Sequence, residues 1–136
     1  MKTAFFAAIL SLASAKLEAG DCFSYNYSIP GTLSVKAHIQ VRDPNTLSFA
    51  VLIDGLLKVS SVCENEAFEW DASKSAITFG KEPLSACLTD LKKQTQDYVQ
   101  TPLVMKYDSI KNQLGTSIVL DVTLDKVDTC IDFKTL

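Results

Sequence analysis

The stretch from Thr32 to Cys63 constrains this chain more than any other. Leu33, Val35, Ala37, Ile39 and Val41 alternate with Ser34, Lys36, His38, Gln40 and Arg42. A period of two sustained this long marks a strand with one dry face and one wet face. Asp43-Pro44-Asn45 then breaks the run. Pro44 presets φ, and Asp43 and Asn45 suit a tight reversal. A second run, Thr46 to Ile53, ends at Asp54-Gly55, and a third, Leu56 to Cys63, returns. Asp-Gly between apolar runs predicts a two-residue hairpin with positive φ at both turn positions. Pairing across that turn sets Ile53 opposite Leu56 and Leu52 opposite Leu57. Three antiparallel strands in a row are the expected centre of the fold.

The tip of that hairpin is apolar on both faces, where a free tip is normally polar. Either the rest of the fold covers it, or a ligand or partner does, because large exposed apolar patches mark contact sites. Leu52, Ile53, Leu56 and Leu57 are therefore the candidate ligand-binding residues.

The beginning of the chain reads as a secretory signal peptide over residues 1–15. Met1-Lys2 is a short positive start, Ala4 to Leu12 is apolar, and Ala13-Ser14-Ala15 is a small-residue cleavage site. Cleavage after Ala19 is the weaker alternative, since Leu17 suits the −3 position poorly. Residues 16–136 are then one domain by length. Lys and Arg number 13 against 16 Asp and Glu, a net charge of −3, with no basic run or stripe. That excludes nucleic acid and anionic membrane surfaces as partners. No later segment is apolar for long enough to form a membrane span. The end, VDTCIDFKTL, carries no lipid-anchor or retention signal. The expected location is extracellular.

Four cysteines, Cys22, Cys63, Cys87 and Cys130, follow the leader. In an exported chain they imply two disulfides. None are close enough in sequence for a zinc knuckle, so no metal is expected. One convincing helix is read near 84–99, with Pro83 at its first turn. Leu84, Cys87, Leu88, Leu91, Thr95 and Tyr98 share one face of it, and Lys92, Lys93, Gln96 and Gln100 another. Cys87 thus faces the sheet. That favours Cys63 with Cys87 and leaves Cys22 with Cys130.

The remainder reads as strands. Phe23 to Ile29 is a short first strand carrying the sequon Asn26-Tyr27-Ser28, so Asn26 is the expected glycosylation site. Glu69 to Ile77 resembles Lys106 to Leu114: an aromatic residue, an Asp, then a Lys and an aliphatic at matching intervals. Both read as hairpins begun by an Asp turn. Leu103 to Tyr107 alternates, Leu114 to Leu124 alternates as one long run, and Val127 to Phe133 is a closing strand. The expected fold is α+β: a mainly antiparallel sheet of about seven to nine strands in a meander of hairpins, packed on one amphipathic helix and held by two disulfides. The expected core includes Leu33, Val35, Ile39, Val41, Leu88, Leu91, Ile118, Leu120 and Val122.

Little chemistry is on offer. The single histidine, His38, falls on the wet face of a regular strand. There is no nucleophile elbow, no HExxH and no phosphate loop. Paired cysteines supply no thiolate. Glu64, Glu66, Glu69 and Asp71 read as charges guarding a strand edge, and Asp121, Asp125, Asp128 and Asp132 form a second acidic group. No catalytic residue and no cofactor is assigned. The reading is a secreted, non-catalytic binding protein that holds an apolar small molecule or lipid between sheet and helix. An extracellular surface protein contacting another protein or a glycan is the alternative, and a small hydrolase using a carboxylate pair is the second.

Overall fold

A computed structural model describes residues 16–117 and 121–136. The expected signal peptide, residues 1–15, lies outside the described residues, as do the core candidates Ile118 and Leu120. Eight strands follow one another: β1 (Cys22–Ile29), β2 (Leu33–Asp43), β3 (Thr46–Asp54), β4 (Val59–Asp71), β5 (Ala76–Phe79), β6 (Leu103–Asp108), β7 (Gln113–Ser117) and β8 (Asp121–Val127). Each pairs antiparallel with the next, and β8 returns to β1, so the sheet closes into a barrel. One helix, α1 (Ala86–Gln94), lies in the connection between β5 and β6. No helix among the described residues is long and apolar enough to cross a membrane.

The expected meander, single helix and two disulfides are present, but the sheet curls onto itself instead of lying open on the helix. The reason is the amount of apolar side chain on one face. Val35, Ala37, Ile39 and Val41 of β2 and Leu47, Phe49, Val51 and Ile53 of β3 are all buried on the inner face. One nine-residue helix cannot cover them. Closure does so, and it also removes free strand edges along most of the sheet. An eight-stranded barrel is just wide enough for side chains to fill. Phe23, Phe49, Phe79, Met105, Leu114 and Leu124 fill it here, with Phe49 and Phe79 ring centroids 5.4 Å apart. Each such side chain contributes about 1.5–3 kcal/mol by leaving water.

Three hairpins turn at one end of the barrel, and each begins with an aspartate. Asp43 accepts the Asn45 N–H at 2.7 Å, Asp71 that of Ser73 at 3.0 Å, and Asp108 that of Ile110 at 3.0 Å. Ser75 and Asn112 occupy matching positions before β5 and β7 with φ of 49° and 53°. The resemblance between the two later segments is therefore a shared turn geometry.

Four expectations are corrected. First, the Asp54-Gly55 turn is not a two-residue hairpin. Ile53 pairs with Val59, so Gly55 to Lys58 form a longer loop, and Gly55 does not take positive φ. A Cβ there would come within 2.9 Å of Leu33 Cδ1, the movable end of a half-buried side chain. The observed register places Val59 and Cys63 inside the barrel. The two-residue turn would have rotated Cys63 outward, away from the helix. Second, the run from Leu114 to Leu124 is two strands, with Leu114 opposite Leu124 and Thr116 opposite Val122. Third, the residues after Val127 form no closing strand. They lead into a 3-10 turn, Phe133–Thr135. Fourth, the helix is shorter than 84–99. Ser85 is its N-cap and accepts the Leu88 N–H at 3.2 Å, which leaves Pro83 outside. It ends at Gln94 because Gln96 and Asp97 turn left-handed and bond back to Lys93 and Lys92. That reversal exposes Tyr98 and buries Val99. Leu88 and Leu91 are core as expected, whereas Leu33 and Val122 are only partly buried against it.

β5 is too short to accompany the whole of β4, reaching only from Phe68 to Asp71. The helix takes its place beside the upper half of β4. Cys87 is joined to Cys63, Ser85 donates to Glu66 at 2.7 Å, and Gln94 meets Ser60. On the outer face, Glu64 and Asn65 bulge opposite Ser48, whose hydroxyl accepts from Asn65 N–H and from Arg42 Nε. Arg42 lies 5.4 Å above the Phe133 ring and 3.6 Å from Glu64. This holds the 3-10 turn on the barrel wall, and Cys22–Cys130 anchors the same segment to β1.

Candidate binding site at one end of the barrel

The loop Gly55 to Lys58 sits at the end opposite the three aspartate turns. Its four apolar candidates do not act alike. Ile53 points inward and is buried. Leu57 is half-buried and packs on the core. Leu52 lies on the outer wall, half-buried, and Leu56 is fully exposed. The fold therefore covers Ile53 and most of Leu57, while Leu56 and the outer face of Leu52 are left to solvent. Tyr27 and Ile29, at the same end on β1, are exposed as well.

Two grooves flank the loop and share Ser34 and Asp54. The larger, about 480 Å³, is lined by Lys36, Leu52, Lys58, Ser60 and Gln94 in addition. The smaller, about 280 Å³, runs over Ile29, Gly31 and Leu33. Strand pairing arranges the larger groove in rows. Lys36, Leu52 and Ser60 stand side by side across β2, β3 and β4, and Ser34 stands beside Asp54 one step nearer the rim. Gln94 closes the far side from the helix. Its amide receives the Ser60 N–H at 2.8 Å and donates to the Ser60 carbonyl at 3.0 Å. The groove thus lies on the outer face of β2, β3 and β4, with Leu52 as its aliphatic floor, polar walls and the end of the helix at its edge. A further hollow of about 280 Å³ lies at the start of the helix, beside Phe68, Phe79 and Leu88.

Chemistry-bearing residues elsewhere have structural partners. His38 shares a hydrogen bond with Ser24 Oγ at 2.9 Å on the outer wall. Partial burial, then the Lys36 ammonium, push its pKa below the ordinary histidine value. Each of the four acids on β4 is engaged. Glu64 faces Arg42, Glu66 accepts from Ser85, Glu69 pairs with Lys81 and Asp71 caps its turn. Cys63, Glu66 and Cys87 bring donor atoms within 4.8 Å of one another. Both sulfurs are joined to each other, so the trio offers no thiolate to a metal. Asn26 is exposed on β1, in the same cross-strand pair as Lys36.

Of the four sequence candidates, Leu52 and Ile53 line the larger groove and Leu56 and Leu57 line neither groove, while Lys36, Lys58, Ser34 and Gln94 are not among the candidates named from the sequence. A signal for Lys36 exists in the alternation of β2, which puts it on the wet face one strand from Leu52. Gln94 carries none, because its place depends on where the helix ends. Comparison with protein-family models, with curated proteins and with solved structures finds no match to this chain.

Proposed function

We propose that the chain is a secreted, non-catalytic binding protein that takes an apolar small molecule or lipid at the Gly55–Lys58 end of the barrel. The observation that carries this is Leu56. It is fully exposed on the loop whose Lys58 lines the larger groove, next to Asp54, which lines both, while the barrel interior is filled by its own side chains. Grooves of roughly 300–1,000 Å³ with an apolar floor and a few polar groups are the usual form of small-molecule sites. The two disulfides agree with an oxidising compartment. The test is titration with an environment-sensitive apolar dye, using Leu52→Ser with Leu56→Ser. Dye affinity should fall severalfold while the urea midpoint holds. Unchanged affinity in a folded double variant would sink the proposal.

A second reading, contact with another protein, draws on β1. Continuing its register would set Tyr25 to Ser28 opposite residues 121–124, yet the described pairing stops at Ser24 with Asp125. That leaves an exposed strand edge with Tyr27 and Ile29 beside it, suited to adding an extended segment. A glycan on Asn26 would stand on the same edge and oppose such pairing. Intact mass of the secreted chain separates the two: a glycosylated Asn26 counts against strand addition. The hydrolase alternative has less support, since the β4 carboxylates are each engaged by a neighbour.

A further inference from the structure

We infer that the larger groove is selective for a single-chain amphiphilic carboxylate, with the head group held by Lys36 and Lys58 and the chain laid over Leu52. This rests on the proposed binding function and names its ligand class. The three ion pairs among the described residues use Arg42, Lys81 and Lys126. Among the described residues no carboxylate lies within ion-pair distance of Lys36 or Lys58. Both line the groove, on either side of the aliphatic floor made by Leu52 and the edges of Ile53 and Val59. Two ammonium groups and one carboxylate, Asp54, leave the groove one positive charge, which matches a monoanion and not a dianionic phosphate. The hydroxyls of Ser34 and Ser60 make no side-chain hydrogen bond among the described residues and lie on the same walls. The Gln94 amide is taken up by Ser60 and Asp90, so it serves as a wall and not as a donor to ligand. The ligand is a free molecule and not a bilayer surface. The chain as a whole is acidic, at −3, and an anionic membrane would repel it.

The experiment is calorimetric titration of the full secreted protein with dodecanoate, dodecanol and dodecyltrimethylammonium. All are kept below micelle formation, at low and at high salt. Dodecanoate should bind tightest. Lys36→Ala with Lys58→Ala should weaken it roughly tenfold at low salt, since exposed charge pairs each contribute modestly, and the difference should shrink at high salt. Both lysines are exposed, so the double variant keeps the fold. Dodecanol or dodecyltrimethylammonium binding as tightly as dodecanoate would overturn the anion assignment and leave the binding function standing. Dodecanoate binding that ignores the double variant would overturn the location. Failure of all three amphiphiles to bind would remove the binding function, and this inference with it.

Discussion

The side chain of Gln94 meets the backbone of Ser60 as a neighbouring strand would, accepting from its N–H at 2.8 Å and donating to its carbonyl at 3.0 Å. β4 has β3 on one side only at this level, so an amide from the end of the helix supplies the missing ladder partner. An unmatched strand edge is thereby closed without a strand.

Gln94→Ala should therefore destabilise the protein by about 1–2 kcal/mol, the usual net value of two exposed hydrogen bonds. Gln94→Glu should recover only part of this, because a carboxylate accepts from the N–H but donates nothing to the carbonyl. Urea midpoints of the three proteins check the ranking.

Leu17 is buried in the core cluster although it precedes the first strand. It stands with Pro44, Phe68 and Trp70 around a small hollow at the aspartate-turn end. Leu17→Ala should cost about 2 kcal/mol and shift the emission of Trp70, the only tryptophan in the sequence. A chain begun at Gly20 should show the same loss. Processing after Ala15 keeps this residue, and processing after Ala19 would discard it.

The two disulfides span very different lengths of chain, 108 residues for Cys22–Cys130 and 24 for Cys63–Cys87. On the loop-entropy model their removal should cost about 4.8 and 3.5 kcal/mol respectively. Urea unfolding of the two double-alanine variants measures both. A larger loss for the shorter loop would show that its packing of the helix outweighs the chain-entropy term.

The pKa of His38 is lowered, first by burial and second by Lys36. As pH falls, the unfolded chain therefore takes up this proton before the folded one does. The stability linked to His38 is complete above the ordinary histidine value of about 6.5 and is lost as pH falls through the window beneath it. His38→Gln should flatten the urea midpoint between about pH 7 and 5. The sequence has no other histidine, so the change is assignable.

Alternation made β2 and β6 legible, because period two survives wherever one face is buried, while β1 and β3 were legible from the turns that bound them. It could not count strands in the last third. β7 ends at Ser117 and β8 begins at Asp121, so the even-numbered inward parity of Leu114 and Thr116 runs on into Val122 and Leu124 as though the strand had never turned. The register of β3 with β4 failed for a different reason. Asp54-Gly55 is a strong local signal, but turning there would have sent Cys63 to the outer wall. Burial of Val59 and Cys63 outweighs the preference of two residues, and the loop lengthens to Lys58. The helix end was hidden because Thr95, buried as the pattern implies, is already the cap. Leu17 belongs to no periodic run, so nothing in the sequence around it separates a plug from a tail.

Cys22 and Cys130 have Cα atoms 5.6 Å apart, at the end of the barrel where Asp43, Asp71 and Asp108 turn. Lys16 and Leu136 therefore leave the molecule on that side, away from Leu56. A surface linker attached at Lys16 or at Leu136 would present the groove outward, so protein immobilised there should bind the proposed amphiphile as freely as protein in solution.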